Sequence, residues 1–214
     1  MRVLITAGPT REYIDDVRYI TNSSSGIMGL ELAQEAVRRG HEVTLVLGPT
    51  SLQPMYGVRV IPAVSADEMT DKVLKELAGG YDLMISAAAI GDFTPSERFK
   101  GKLGSAQEVT VRLRPTRKLI REARERFPEL RIVAFKATYD SPVDEMVAAA
   151  RKLMPYADLV IANDVSRDVF GSENTEVHIV CDEVKCVPRT SKRQAAKAIM
   201  DSVESMLSGE GGKA

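Results

Sequence analysis

VLITAGPTREYIDDVRYITNSSSGIMGLELAQEAV, residues 3–37, is the stretch whose reading decides the fold. Val3, Leu4, Ile5 and Thr6 form a short apolar, β-favouring run that stops at Ala7-Gly8-Pro9-Thr10, where glycine permits a positive φ and proline cannot continue a ladder. Asn22-Ser23-Ser24-Ser25-Gly26 then precedes Ile27, Met28, Leu30, Leu32, Ala33, Ala36 and Val37, whose apolar spacing is helical up to Gly40. A helix with capping hydroxyls in front of it is expected there. Its first N–H groups, the positive end of its dipole, and close approach at Gly26 and Gly29 suit an anion such as phosphate. The loop by itself leaves two readings open, a nucleotide or phosphate site and an ordinary capped helix.

Composition bounds the rest. The 214 residues suffice for one large domain over 1–207, with 208–214 (SGEGGKA) reading as a loose tail. With 44% hydrophobic and 28% charged residues the composition is globular, and a net charge of −1 gives no reason to expect a nucleic-acid or membrane partner. Two cysteines, Cys181 and Cys186, and no long apolar run argue against a disulfide framework and a membrane span. Met1-Arg2 leads straight into a strand, leaving no room for a secretory signal, so a cytoplasmic protein is expected.

Further along, 41–47 and 58–61 read as strands, and Ser65-Ala66-Asp67-Glu68 opens a helix that ends at Gly79-Gly80. Residues 81–89 (YDLMISAAA) are apolar on both parities and turn small at the end, as a buried parallel strand does when its tip leaves room for something. Residues 90–102 (IGDFTPSERFKGK) show no period and read as a mobile loop feeding a hairpin arm with a strand at 108–112. Helix 116–127, strand 131–137, helix 143–153 and strand 158–162 continue the alternation, followed by a hairpin of 175–181 with 184–188 and a closing helix over 191–207. The pattern is that of an α/β, doubly wound, Rossmann-like, mostly parallel sheet.

Ligands of such sheets sit beyond the carboxyl ends of the strands, so the tips at Gly8, Gly48, Ala87-Ala88-Ala89, Phe135-Lys136 and Asn163-Asp164 are the places to look. Arg18 could take phosphate as a fork and Asn22 offers an amide; each could equally be a surface Arg and a capping Asn. Asp92 is either a ligand acceptor or a turn residue, and Lys100 and Lys102 are either solvated charges or a lid over polyphosphate. His41 and His178 have no partner at ligand spacing, and Cys181 with Cys186 matches no zinc pattern. No nucleophile elbow, G-x-G-x-x-G or P-loop is present, and a short-chain reductase lacks its Tyr-x-x-x-Lys pair at a strand tip. The residues alone stop at an α/β protein binding a phosphorylated ligand.

Taken together, Thr6-Ala7-Gly8-Pro9-Thr10-Arg11-Glu12, Val17-Arg18-Tyr19-Ile20-Thr21-Asn22-Ser23-Ser24-Ser25-Gly26 and Met28-Gly29 resemble the opening of phosphopantothenoylcysteine synthetase, also called phosphopantothenate–cysteine ligase. Ala87-Ala88-Ala89-Ile90-Gly91-Asp92-Phe93, Gly101-Lys102-Leu103 and Ala162-Asn163-Asp164-Val165 resemble, in order, that family's strand end with acidic loop, its lysine loop and its late strand tip. The resemblance covers essentially the whole chain. It implies a ligase that joins 4′-phosphopantothenate to cysteine in coenzyme A biosynthesis, through a nucleotidyl acyl intermediate, with CTP or ATP as cosubstrate and Mg2+. It also implies a separate synthetase, since the flavin-dependent decarboxylase that precedes this domain in many bacterial relatives is not seen, and a homodimer whose β-hairpin dimerisation arms are 102–112 and 175–188. A nucleotide-binding regulatory or scaffold protein without turnover is the alternative.

By the same resemblance Asn22 steadies the acyl-nucleotide, Arg18 binds the pantothenate phosphate and Lys102 serves activation, making these three the expected catalytic residues. Ser24, Ser25 and Gly26 join Arg18 and Asn22 on the substrate. Gly8, Ser86, Ala87, Ala88, Asp92, Lys102, Pro115, Thr116, Arg117, Lys118, Phe135 and Arg151 fall where the family holds its nucleotide. Ile27, Gly91 and Lys136-Ala137-Thr138 depart from the family's frequent residues and leave nucleotide choice open. A lysine expected near Pro155 is missing, with Lys118 or Lys136 as substitutes.

Overall fold

A computed structural model describes residues 1–54, 56–106, 108–166 and 172–209. β1 (Arg2–Ala7) runs into a small hairpin of β2 (Arg11–Tyr13) and β3 (Tyr19–Thr21), then α1 (Ile27–Arg38), β4 (Glu42–Leu47), β5 (Val58–Pro62), α2 (Ala66–Leu77) and β6 (Leu83–Ser86). A second small hairpin, β7 (Phe93–Pro95) with β8 (Leu113–Pro115), precedes α3 (Leu119–Arg126), β9 (Arg131–Thr138), α4 (Val143–Arg151) and β10 (Leu159–Asp164). β11 (Asn174–Val180), β12 (Val184–Ser191) and α5 (Lys192–Ser208) close the chain.

Eight strands form one sheet in the order β12-β11-β10-β9-β6-β1-β4-β5. From β10 to β5 every neighbouring pair is parallel, so six carboxyl ends share one edge; β11 and β12 are antiparallel. The chain leaves β1 toward β4 and β5, then returns to build β6, β9 and β10 on the other side. That reversal makes the loops after β1 and β6 the walls of a crevice, the place where such sheets bind ligands.

Alternation along β1 serves two cores. Val3, Ile5 and Ala7 face α1 and α5 with Leu32, Ala36, Ile199 and Val203. Leu4 faces the other layer, where Met69 and Val73 of α2, Leu119 and Ala123 of α3, and Met146 and Ala150 of α4 pack. Each fully buried Leu or Ile contributes roughly 1.5–3 kcal/mol relative to exposure, which is why a strand apolar on both parities is stable only between two helical layers.

Glycines bring the sheet edge and α1 into near contact. A Cβ at Gly29 would lie 2.4 Å from the Ala7 Cβ, and one at Gly48 would lie 2.0 Å from the Pro9 carbonyl oxygen. Gly8 itself sits at φ +77°, the left-handed region that its missing side chain permits.

Several expectations are corrected. The serines do not cap α1: its N-cap is Gly26 at φ 82° with no side-chain bond, and the Ser25 Oγ reaches the Ile27 N–H only at 3.5 Å. Residues 108–112 form no strand; the pairing shifts to β8, whose register with β7 joins Phe93 to Pro115 and Pro95 to Leu113. The hairpin of 175–188 does not project as an arm. β11 pairs with β10 and carries Val177 and Ile179 into the core, so the sheet continues through it. The loop expected to be mobile includes β7 and is pinned, as described below. Most of the expected tail, 210–214, lies outside the described residues, while Gly209 terminates α5 at φ 75°.

Gly48→Ala is expected to cost about 3 kcal/mol or more, because backbone rather than a flexible side chain blocks the new methyl. Gly40→Ala, at φ +79° with nothing within 4 Å, should cost about 1 kcal/mol from backbone strain alone. Urea midpoints of the two variants check the order. A second expectation concerns Asp158, whose carboxylate accepts the Ile132 N–H at 2.8 Å, Arg131 Nη1 at 2.9 Å and Arg124 Nη2 at 2.6 Å. Burial pushes its pKa up, but these donors together hold it below the ordinary value. The stabilisation is therefore fully present above the unfolded-state pKa of about 3.9 and lost as pH falls toward the folded one. The urea-midpoint gap between wild type and Asp158→Asn should be wide at pH 7 and narrow near pH 3.

Candidate active site

The crevice is built by continuing β1 past its end. Gly8 and Thr10 exchange bonds with the chain after β6: the Ala89 N–H donates to the Gly8 carbonyl at 2.9 Å and the Thr10 N–H to the Ala89 carbonyl at 3.3 Å. Threonine hydroxyls fill the gaps, Thr6 Oγ1 accepting from the Ala88 N–H at 3.2 Å and Thr10 Oγ1 from the Gly91 N–H at 2.9 Å. Larger side chains at 87–89 would fill the space these bonds leave open. A cleft of about 220 Å³ results, bounded by Ser24, Ser25 and Gly26 on one side, Ala87, Ala88 and Ala89 beneath, and Phe135 and Asn163 opposite. With no side chain capping α1, the N-terminal amides of that helix face an anion unblocked.

Asn22 stands beside this floor. Its Nδ2 donates to the carbonyls of Ala89 and Ile90 at 3.2 and 3.3 Å, and its Oδ1 has no protein partner among the described residues. Ser24 and Ser25 border both the cleft and a second depression shared with Asn22, Arg11 and Tyr19. The structure therefore brings Asn22, Ser24, Ser25, Gly26, Ala87, Ala88 and Phe135 together, with Gly8 and Ser86 in the strand ends behind them.

Other expected residues stand differently. Arg18 is not a free cation: its Nε and Nη2 both donate to Asp15 Oδ2, at 2.9 and 2.6 Å, and Nη2 also reaches the Leu103 carbonyl at 2.7 Å. Lys102 is exposed, and its ammonium has no partner among the described residues. Asp92 is held by Lys118 at 2.5 Å, an ion pair with both side chains more than half exposed. Thr116 ties down the same loop, donating its hydroxyl to the Gly91 carbonyl at 2.6 Å, next to exposed Pro115. The Arg117 guanidinium is taken by Glu122 and Asp71, which raise its pKa further. Arg151 ends α4, which runs back from the ligand edge toward the start of β10, so it lies at the opposite edge of the sheet.

Sequence reasoning passed over Asp15 and Asp16, read as loop, although an Asp followed by free N–H groups is an Asx-turn signal. It also missed Glu12, whose Oε1 accepts the Ala66 N–H at 2.8 Å and anchors β2 to the start of α2. His178 and Cys186 were judged by sequence spacing alone and Glu176 was passed over, yet strand pairing sets Cys186 opposite His178, and donor atoms of all three lie within 4.8 Å of one another. Burial, then Glu176, pushes the Cys186 thiol pKa up, which disfavours the thiolate form.

The model of the DNA/pantothenate metabolism flavoprotein C-terminal domain family matches residues 1–207. The coenzyme A biosynthesis bifunctional protein CoaBC of Thermococcus kodakarensis is 42% identical over 210 residues, covering 96% of this chain and 51% of that protein. Its counterpart in Methanocaldococcus jannaschii is 37% identical over 209 residues, with the same coverages of 96% and 51%. The chain thus spans about half the length of the curated relatives it matches. The crystal structure of the C-terminal domain of a CoaBC protein superposes with a TM-score of 0.81 at 32% identity, covering 97% of this chain and 96% of that one. A Cab2 H337A mutant in complex with phosphopantothenate-cysteine shares the fold, with a TM-score of 0.79 at 19% identity, over 97% of this chain and 88% of that one. A match that begins at the first residue and runs into the last turn of α5 makes this chain a member of the DNA/pantothenate metabolism flavoprotein C-terminal domain family.

Proposed function

We propose that this chain is a phosphopantothenate–cysteine ligase of coenzyme A biosynthesis, using a nucleoside triphosphate, CTP in the first instance and ATP as the alternative. The observation that carries the reading is the small-residue cleft at the sheet's reversal point, walled by the uncapped start of α1, with Asn22 bonded to the Ala89 carbonyl of its floor, in a chain that covers 96% of a CoaBC C-terminal domain.

In the first step a carboxylate oxygen of 4′-phosphopantothenate attacks the α-phosphorus, the bond to the β-phosphate breaks, and pyrophosphate leaves. In the second the cysteine amine attacks the acyl carbon, the acyl–oxygen bond breaks with release of the nucleoside monophosphate, and the amine proton passes to solvent. Neither step needs a protein nucleophile. Charge grows on phosphoryl oxygens, so fixed amides and a cation supply the stabilisation. The α1 amides and Ser24 and Ser25 hydroxyls face the anionic groups, Lys102 follows the transferring phosphoryl, and the free Oδ1 of Asn22 orients the acyl-nucleotide. The Lys118–Asp92 pair acts as a preset exchange: a ribose hydroxyl takes Asp92 while Lys118 turns to the triphosphate. Lys118 so replaces the lysine absent near Pro155.

No carboxylate of the described residues lines the cleft, whose side-chain oxygens are the neutral ones of Ser24, Ser25, Asn163 and Thr175. Those residues do not form a cage for Mg2+, which prefers carboxylates and phosphates with several retained waters. The ion fits as one carried by the triphosphate. We also propose a homodimer in the cytoplasm. Exposed Val17, Ile20, Phe93 and Leu113 on the two adjoining small hairpins support an exchange surface there, while 175–188 is used inside the sheet.

Pyrophosphate release should require phosphopantothenate and nucleotide but not cysteine, and monophosphate release should require cysteine as well. Tight nucleotide binding without pyrophosphate release would leave a binding protein instead, and a thermal shift with NADP(H) but neither CTP nor ATP would point to a reductase. Lys102→Gln should slow pyrophosphate release by about 10²-fold. Asn22→Asp should spare that half-reaction and impair cysteine capture; equal loss in both halves would remove the orienting role from Asn22.

A further inference from the structure

The turn between β2 and β3 encloses a charge that the scheme above does not use. Asp15 is completely buried, and every oxygen of it is occupied. Oδ1 accepts the N–H groups of Val17 and Arg18 at 2.8 and 2.6 Å, closing an Asx turn. Oδ2 accepts Nε and Nη2 of Arg18 and, from 88 positions along the chain, the Leu103 N–H at 3.0 Å. Arg18 Nη2 simultaneously donates to the Leu103 carbonyl. Carboxylate and guanidinium therefore grip both faces of the residue next to Lys102.

Neighbouring bonds extend the grip. Asp16 Oδ2 accepts the Gly101 N–H at 2.7 Å, the Asp16 N–H donates to the Gly101 carbonyl at 3.0 Å, and Arg98 Nη2 donates to Asp16 Oδ1 at 2.8 Å. The Phe99 N–H donates to the Ile14 carbonyl at 2.9 Å. Arg18 first, then the three backbone donors, hold the Asp15 carboxyl well below the usual carboxylate range against its desolvation. Burying a carboxylate is costly unless all its acceptors are met, and here three of the five donors that meet them come from Arg18 and one from the lysine loop.

We infer that Asp15 is a positioning residue: through Arg18 and the Leu103 backbone it fixes the loop bearing Lys102 against the β2–β3 turn, so that the ammonium is set before substrate arrives. This rests on the ligase reading for its catalytic half and on contacts alone for its structural half. It also assigns Arg18 to the loop. A lysine on an unpinned loop would have to be ordered in each turnover, and pre-ordering acts on the activated state more than on nucleotide binding.

The test compares wild type with Asp15→Asn, whose amide cannot accept the Arg18 fork at Nδ2. Expected in the variant are cleavage by trypsin after Lys100 and Lys102, and amide exchange at 101–103, each about tenfold faster without any ligand. In the pyrophosphate-release assay kcat should fall about tenfold or more, with KM for the nucleotide within about twofold. Unchanged cleavage and exchange would overturn the clamp, and a freed loop with unchanged kcat would overturn its catalytic use. Wild-type protein that releases no pyrophosphate with CTP or ATP would sink the ligase reading, while the ligand-free readouts still decide the clamp. Should Asp15→Asn fail to fold, Leu103→Pro removes the donated N–H from the loop side and leaves the turn intact; its readouts are cleavage after Lys100, amide exchange at Gly101 and Lys102, and kcat, because trypsin does not cut a Lys–Pro bond and proline has no amide hydrogen.

Discussion

The close approach of α1 to the tip of β1 is the constraint on which the rest depends. Only hydrogens at Gly29 and Gly48 let the Ala7 and Pro9 backbone lie where they do. With that contact made, the first amides of α1 stand at the strand ends without a capping side chain to block them, and the chain from Gly8 to Thr10 can pair with 89–91. A crevice at the reversal of strand order follows from topology; a crevice able to take a phosphorylated ligand follows from the missing side chains.

Around that fixed edge the chain arranges its charges in pairs that hold loops. Asp15 with Arg18 grips the lysine loop, Lys118 with Asp92 holds the acidic loop against the start of α3, and Glu12 anchors the first small hairpin to α2. These loops come from distant parts of the chain, so their relative placement rests on a handful of directional bonds instead of a shared core. Directional bonds suit that task because they specify position, whereas apolar packing of such short exposed segments would specify little. Lys102, exposed and without a partner among the described residues, is carried on one of these held loops.

Membership of the family and the domain-scale match to a CoaBC structure agree with this picture at the level of fold. The assignment of chemistry to individual side chains rests on what each touches. On that ground Asn22 stays at the cleft, whereas Arg117 belongs to the α2–α3 packing and Arg151 to the far edge of the sheet.

What the sequence by itself determined is the alternation of strands and helices, the buried parallel strand ending in three alanines, and the glycine and serine spacing after β1, since these depend on period and on local backbone freedom. It carried the resemblance for the same reason: motifs are local. Tertiary structure alone decided that the serines leave α1 uncapped, that 175–188 completes the sheet, that the strand after the lysine loop is displaced to Leu113–Pro115, and that Asp15 reaches Leu103. Each of those outcomes is a choice among hydrogen-bond partners far apart in the chain, and a polar group's partner is set by what else the fold brings within about 3 Å, which no local pattern encodes.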